Sequence, residues 1–132
     1  MMKNKFGAKK VKAPDGQVFD SQHEYHRYCI LKMLERAGKI SGLRRQVEFE
    51  LIPTQREVST EIYKAGPQKG LLKPGPVIET ACKYVSDFVY HDEKDKLYVE
   101  DAKGCKKGAA YALFVIKRKL MLQVHGIRVE EV

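Results

Sequence analysis

The sequence predicts an α/β fold, a mixed sheet flanked by helices. Three observations predict it. Apolar residues recur at helical spacing in residues 19–40 and again in residues 106–126. The stretch QVEFELIP, residues 46–53, alternates strictly, with Val47, Phe49 and Leu51 on one side and Gln46, Glu48 and Glu50 on the other. Two further strand-like runs, residues 77–91 and 96–103, are separated by a short charged turn. The resulting order is helix, strand, strand, strand, helix, strand, an order that builds a layered sandwich on a mixed sheet.

Each element has a local cause. Residues 1–19 carry Lys3, Lys5, Lys9, Lys10 and Lys12 and a turn at Pro14-Asp15-Gly16, so they read as a basic arm. Ser21 followed by Glu24 is a capping-box pattern that opens the first helix, and Gly38 supplies its stop. Tyr28, Leu31 and Leu34 or Glu35 follow Glu24 at helical spacing, which puts Glu24 at the head of the core-facing stripe. Pro53 ends the alternating strand. Residues 54–76, rich in Gly, Pro and Lys, read as a long loop or flap within a single domain spanning 20–132. VIETACKYVSDFVYH and KLYVEDAK pair as an antiparallel hairpin across the turn at 91–96. The second helix places Tyr111, Val115 and Leu122 on one face, widened by Leu113 or Phe114 and by Leu120 or Met121. Gly126 ends it, and IRVEEV is a final short strand.

Composition narrows the function. The chain has 132 residues and a net charge of +8, with one basic cluster in the N-terminal arm and another formed by Lys103, Lys106, Lys107, Lys117, Arg118 and Lys119. Clustered positive charge on a small domain points to a polyanion, most often nucleic acid. No apolar run approaches the ~20 residues a membrane span needs, and the N-terminus lacks the apolar core of a secretory signal. Cys29, Cys82 and Cys105 show neither paired nor zinc spacing, so the expected compartment is the reducing cytoplasm.

The chemistry concentrates where the hairpin ends. Strand alternation puts Asp101 and Lys103 on one face and Glu100 and Ala102 on the other. With the turn near Asp92 to Asp95, Asp87 falls opposite the Glu100 to Asp101 region. Two converging carboxylates repel, and a hard divalent cation removes that repulsion. Oxygen donors of this kind suit Mg²⁺ or Mn²⁺ rather than zinc. Such a site can activate water for phosphodiester hydrolysis, with an adjacent lysine orienting it or stabilising developing charge.

The pattern SDFVY…YVEDAKG resembles the signature of the PD-(D/E)XK nuclease superfamily. VKAPDGQVFDSQHEYHRY, RRQVEFEL, YVSDFVY, VEDAKG and IKRKLMLQVHGIRVEEV together are similar to a family of small phage and prophage-associated nucleases within it, over about residues 11–132. The resemblance implies a restriction-endonuclease-like αβββαβ core. It implies Asp87 as first metal ligand, Asp101 as second acid, Lys103 as motif lysine, the Ala102 carbonyl as a further donor and Glu24 as the helical acid. Asp101 stands where Glu is common, and Ser86 where the signature has proline. A bulge would bring Glu100 in place of Asp101. Glu24 also has a purely structural role open to it, as the capping-box acid.

Lys106 and Lys107, next to the motif, are the candidates for gripping the scissile strand, followed by Lys117 on the second helix and by Lys9 and Lys10 in the arm. His23, His26 and Lys83 read as surface residues, and Tyr111 as a core residue. The expected activity is that of a metal-dependent DNA endonuclease, selective for branched DNA by resemblance to phage resolvases and homodimeric if it makes two symmetric cuts. In a bacterial host its place would be the cytoplasm. The alternatives are a nicking or restriction-like nuclease, a non-catalytic nucleic-acid-binding module, and a subunit of a recombination machine.

Overall fold

In the computed structural model, residues 9–132 are described. Lys3 and Lys5, two of the five lysines of the expected basic arm, lie outside them. The fold is mixed α/β, a central four-stranded mixed sheet with two helices. The chain divides into two compact units. Glu50–Tyr84 forms one, and the segments on either side of it form the other.

The larger unit opens with β1 (Val11–Lys12) and β2 (Val18–Phe19), an antiparallel pair across the Pro14-Asp15-Gly16 turn. This hairpin shortens the expected free arm, because Ala13 and Phe19 are buried in the core. Helix α1 (Gln22–Arg36) follows. Its start carries half of the anticipated capping box, because the Glu24 side chain reaches past the Ser21 N-cap to the residue before it. Ser21 Oγ accepts from the Glu24 N–H at 3.1 Å, and Glu24 Oε2 accepts from the Asp20 N–H at 3.0 Å. Gly38, at φ +75°, turns the chain out of the helix in a conformation that glycine adopts without strain.

Strand β3 (Ile40–Ile52) begins six residues before the alternating stretch, absorbing ISGLRR, part of which reads as the tail of the helix. Two left-handed residues, Gly42 and Gln46, interrupt it. The next strands, β6 (Cys82–Asp92) and β7 (Leu97–Asp101), form the expected hairpin, with Phe88 opposite Glu100 and Val89 opposite Val99. Helix α2 (Gly108–His125) crosses over to β8 (Val129–Glu131), which runs parallel to β7. The sheet order is β3-β6-β7-β8.

Register determines what each face carries. Phe88 and Tyr90 join Phe19, Leu31 and Ile40 in one core cluster, with Tyr25, Tyr28 and Leu34 of α1 packed against it. Val89 and Val99, which point the other way, are also buried, so both faces are covered. On this second face Asp101 neighbours Glu131, whose side chain is held by Tyr111 and Arg118 of α2. Within α2 the buried positions are Phe114 and Met121, whereas Leu113 and Leu122 are about half exposed. The buried stripe is therefore centred one helical step away from the Tyr111–Val115–Leu122 line.

The smaller unit is not a structureless loop. β4 (Gln55–Arg56) pairs with β5 (Val77–Glu79), and Ile62 bridges to Leu72. Backbone hydrogen bonds such as Glu57 N–H to Pro76 O and Tyr63 N–H to Leu71 O close the ribbon. It has almost no core of its own, since Val58, Ile62, Leu71, Leu72 and Ile78 remain exposed. Among the described residues no helix is long and apolar enough to cross a membrane.

Candidate active site

The hairpin register that pairs Phe88 with Glu100 makes Asp87 and Asp101 the next opposed pair. Both are acids on the α2 face, at the end of β7 where the chain leaves the sheet. The Ala102 N–H donates to Asp87 Oδ2 at 2.8 Å, and Lys103 Nζ contacts Asp101 Oδ1 at 2.8 Å. Lys103 Nζ also lies 4.2 Å from the centroid of the Phe114 ring, a cation–π contact that fixes the ammonium. Glu24, 3% exposed, faces the same cleft from the first turn of α1. The cleft encloses about 730 Å³ and is lined by Glu24, Gln46, Asp87, Asp101 and Lys103, with Lys107 at its rim.

The electrostatics are those of crowded acids. Burial, then the charges of Asp101 and Glu24, push the Asp87 carboxyl up to about 7, against which the Ala102 N–H and Lys103 act only partly. Burial also raises Glu24, and the Asp20 carboxylate adds to the rise, while the Asp20 N–H and Arg45 oppose it. Arg45 reaches Glu24 Oε1 at 3.5 Å, donates to Gln17 Oε1 and to the Val18 carbonyl, and stacks 3.8 Å above the Phe19 ring. Its buried Nε has no hydrogen-bond partner.

One residue before Asp101, the environment is the opposite. Glu100, 2% exposed, receives both arms of the Arg27 guanidinium at 2.8 and 2.6 Å and the Tyr90 hydroxyl as well. Burial and the Glu100 bond raise Tyr90, so the phenol stays protonated as a donor. Glu100 is thus committed to the α1 side, and no bulge brings it into the cleft in place of Asp101.

The other expected residues divide. Lys107, the N-cap of α2, lines the cleft. Lys106 does not, and its amine is 3.3 Å from Glu131 Oε2. Lys9, Lys10 and Lys117 also lie outside the cleft lining. His23 bonds the Val132 carbonyl at 2.6 Å, a structural tie between α1 and the end of β8, and His26 is exposed. Tyr111 is half-buried, lines the cleft and donates to Glu131 at 2.8 Å, so it belongs to the site's wall rather than to the core. Arg45 and Gln46 were not singled out by sequence, although the RRQ run that carries them was a usable signal.

The donors facing the cleft are carboxylate oxygens, the set a hard cation prefers. Among the described residues, no three His, Cys, Asp or Glu side chains stand together as a ready-made ligand group. Lys103 and the Ala102 N–H hold Asp101 and Asp87 in their present positions.

Over residues 3–129 the chain matches the family described as "Protein of unknown function (DUF1064)", and it belongs to that family. No curated protein and no solved structure matches it.

Proposed function

We propose that this DUF1064 chain is a divalent-metal-dependent DNA endonuclease with a restriction-endonuclease-like core of the PD-(D/E)XK kind. The observation that carries the reading is the pairing of Asp87 with Asp101 across the hairpin, with Lys103 on Asp101 and the Asp87 carboxyl driven up to about 7 by burial and then by the charges of Asp101 and Glu24. Buried acids under mutual repulsion are what a cation site requires and what a purely structural sheet avoids. The helix–strand–hairpin–helix–strand order and the helical acid Glu24 support the same reading.

The residues divide the work. Asp87 and Asp101 would hold Mg²⁺ or Mn²⁺, aided by Glu24 and the Ala102 carbonyl. The ion, when bound, supplies Lewis-acid polarisation of the phosphoryl group and activation of water. Lys103, anchored on Phe114, presents an ammonium to the charge that develops as one P–O bond forms and another breaks. Lys107 at the α2 N-cap contacts the DNA backbone, with Lys106 just before it, Lys117 further along α2 and Lys9 and Lys10 in the arm. These contacts fix the position of the duplex without reading sequence. Preference for branched DNA, and a homodimer making paired cuts, belong to the same proposal.

The test uses linear, forked and four-way DNA with wild type and Asp87→Asn, with and without EDTA. Wild type is expected to cut only with Mg²⁺ or Mn²⁺, and Asp87→Asn to lose at least ~100-fold in rate. Cutting that survives both EDTA and the substitution would overturn the site. DNA binding with no cutting under any condition would point to a non-catalytic module.

A further inference from the structure

Gln46 sits in the interior of β3 with φ +54°, a left-handed conformation in a residue that is neither glycine, asparagine nor aspartate. Such a conformation is costly for a long side chain and persists only where the surroundings impose it. Its position is telling. The residue lines the cleft that holds Glu24, Asp87, Asp101 and Lys103, and its side chain is exposed there. That side chain makes no hydrogen bond among the described residues. The preceding residue, Arg45, is drawn the other way, into contacts with Phe19, Gln17 and Glu24. The left-handed turn therefore falls at the β3 residue that lines the cleft.

We propose that Gln46 is a substrate-contacting residue, its side-chain amide donating a hydrogen bond to a non-bridging oxygen of the scissile phosphate. The assignment rests on the nuclease reading above. An uncharged donor suits this position. Beside crowded carboxylates a lysine would form ion pairs with the acids and compete with a cation for them, while an acid would add to the repulsion. The amide offers two N–H donors and no charge, so it can grip a phosphate oxygen and leave the acids to the metal. Glycine would satisfy the backbone better at this position. The amide thus accounts for a residue that is unfavourable for its backbone.

The experiment compares Gln46→Gly, Gln46→Asn and Gln46→Glu with wild type and Asp87→Asn, measuring kcat, KM and Tm on one DNA substrate. Gln46→Gly relieves the backbone and removes the donor. It is expected to raise Tm by a few degrees while lowering kcat about 10- to 100-fold. Gln46→Asn, which tolerates the left-handed region and keeps an amide, should retain more activity than the glycine variant. Gln46→Glu should fall below it, because it replaces a donor with a negative charge. A glycine variant with wild-type kcat overturns the assignment while leaving the nuclease reading intact, provided that Asp87→Asn is inactive in the same assay. Joint loss of Tm and kcat in the glycine variant would mean a structural role and also overturns it. A wild-type protein that cuts nothing overturns the nuclease reading, and this assignment falls with it.

Discussion

Glu100 and Asp101 are consecutive residues of one strand, both nearly inaccessible to solvent, and they live in opposite electrostatic worlds. Glu100 faces α1 and is neutralised by a two-armed Arg27 contact and a phenol. Asp101 faces α2 beside Asp87, with Glu24 nearby and one ammonium among them. A third acid, Glu131, shares the face of Asp101 yet resembles Glu100. Burial alone would raise it, but Tyr111, Lys106 and Arg118 hold it below its ordinary value. Burial of an acid is thus no mark of function. A buried acid matched by fixed donors is part of the scaffold, and on the proposed reading it is the crowding of Asp87, Asp101 and Glu24 that a cation would relieve.

The contrast can be broken from the scaffold side first. Arg27→Ala leaves Glu100 charged and stranded, and should cost about 3–5 kcal/mol in urea unfolding. Replacing both partners, as Arg27→Met with Glu100→Leu, should recover most of that loss, because the apolar pair demands no solvation. If the double variant stays as unstable as the single one, the network contributes more than charge compensation.

The site side should show itself in pH dependence. The folded-state value of Asp87, about 7, lies above its ordinary 3.8. The folded protein therefore holds a proton that the unfolded chain has released. That contribution is complete below about pH 4 and is lost as pH rises through about 7, a change on the order of a few kcal/mol. Unfolding free energy measured from pH 4 to 8 should fall across this window, and Asp87→Asn should flatten it. Mg²⁺ should restore stability at pH 8 more than at pH 5. The same profile in wild type and Asp87→Asn would remove Asp87 from the account.

The smallest effect is expected at Lys106. Its own side chain is largely exposed and Glu131 keeps Tyr111 and Arg118, so Lys106→Ala should change stability by no more than about 0.5 kcal/mol. A larger loss in thermal denaturation would mean that Glu131 depends on it as Glu100 depends on Arg27.

Much of this geometry was legible in the sequence, for identifiable reasons. The hairpin turn and strict side-chain alternation place Asp87 against Asp101 and turn Lys103 to the same side, and the capping box places Glu24. These signals are local. Arg27 lies 73 residues from Glu100, and nothing in HRYC announces that its guanidinium will cross to β7. The first half of β3 was hidden because a glycine and two arginines mask its alternation. The pairing within residues 54–76 was hidden because strands of two and three residues carry no periodicity. Gln46 fits the alternation of its strand in letters, and its left-handed backbone angle leaves no trace there.

The seat of Lys103 on the Phe114 ring carries one more consequence. Its ammonium contacts the Asp101 carboxylate and an aromatic face, and its charge also acts on Asp87. On the proposed reading, a cation that claimed the carboxylate would leave the ring in place, and the amine would stay within reach of a phosphate without any shift of the main chain. Loading and emptying such a centre would require only the rotation of a few side-chain bonds.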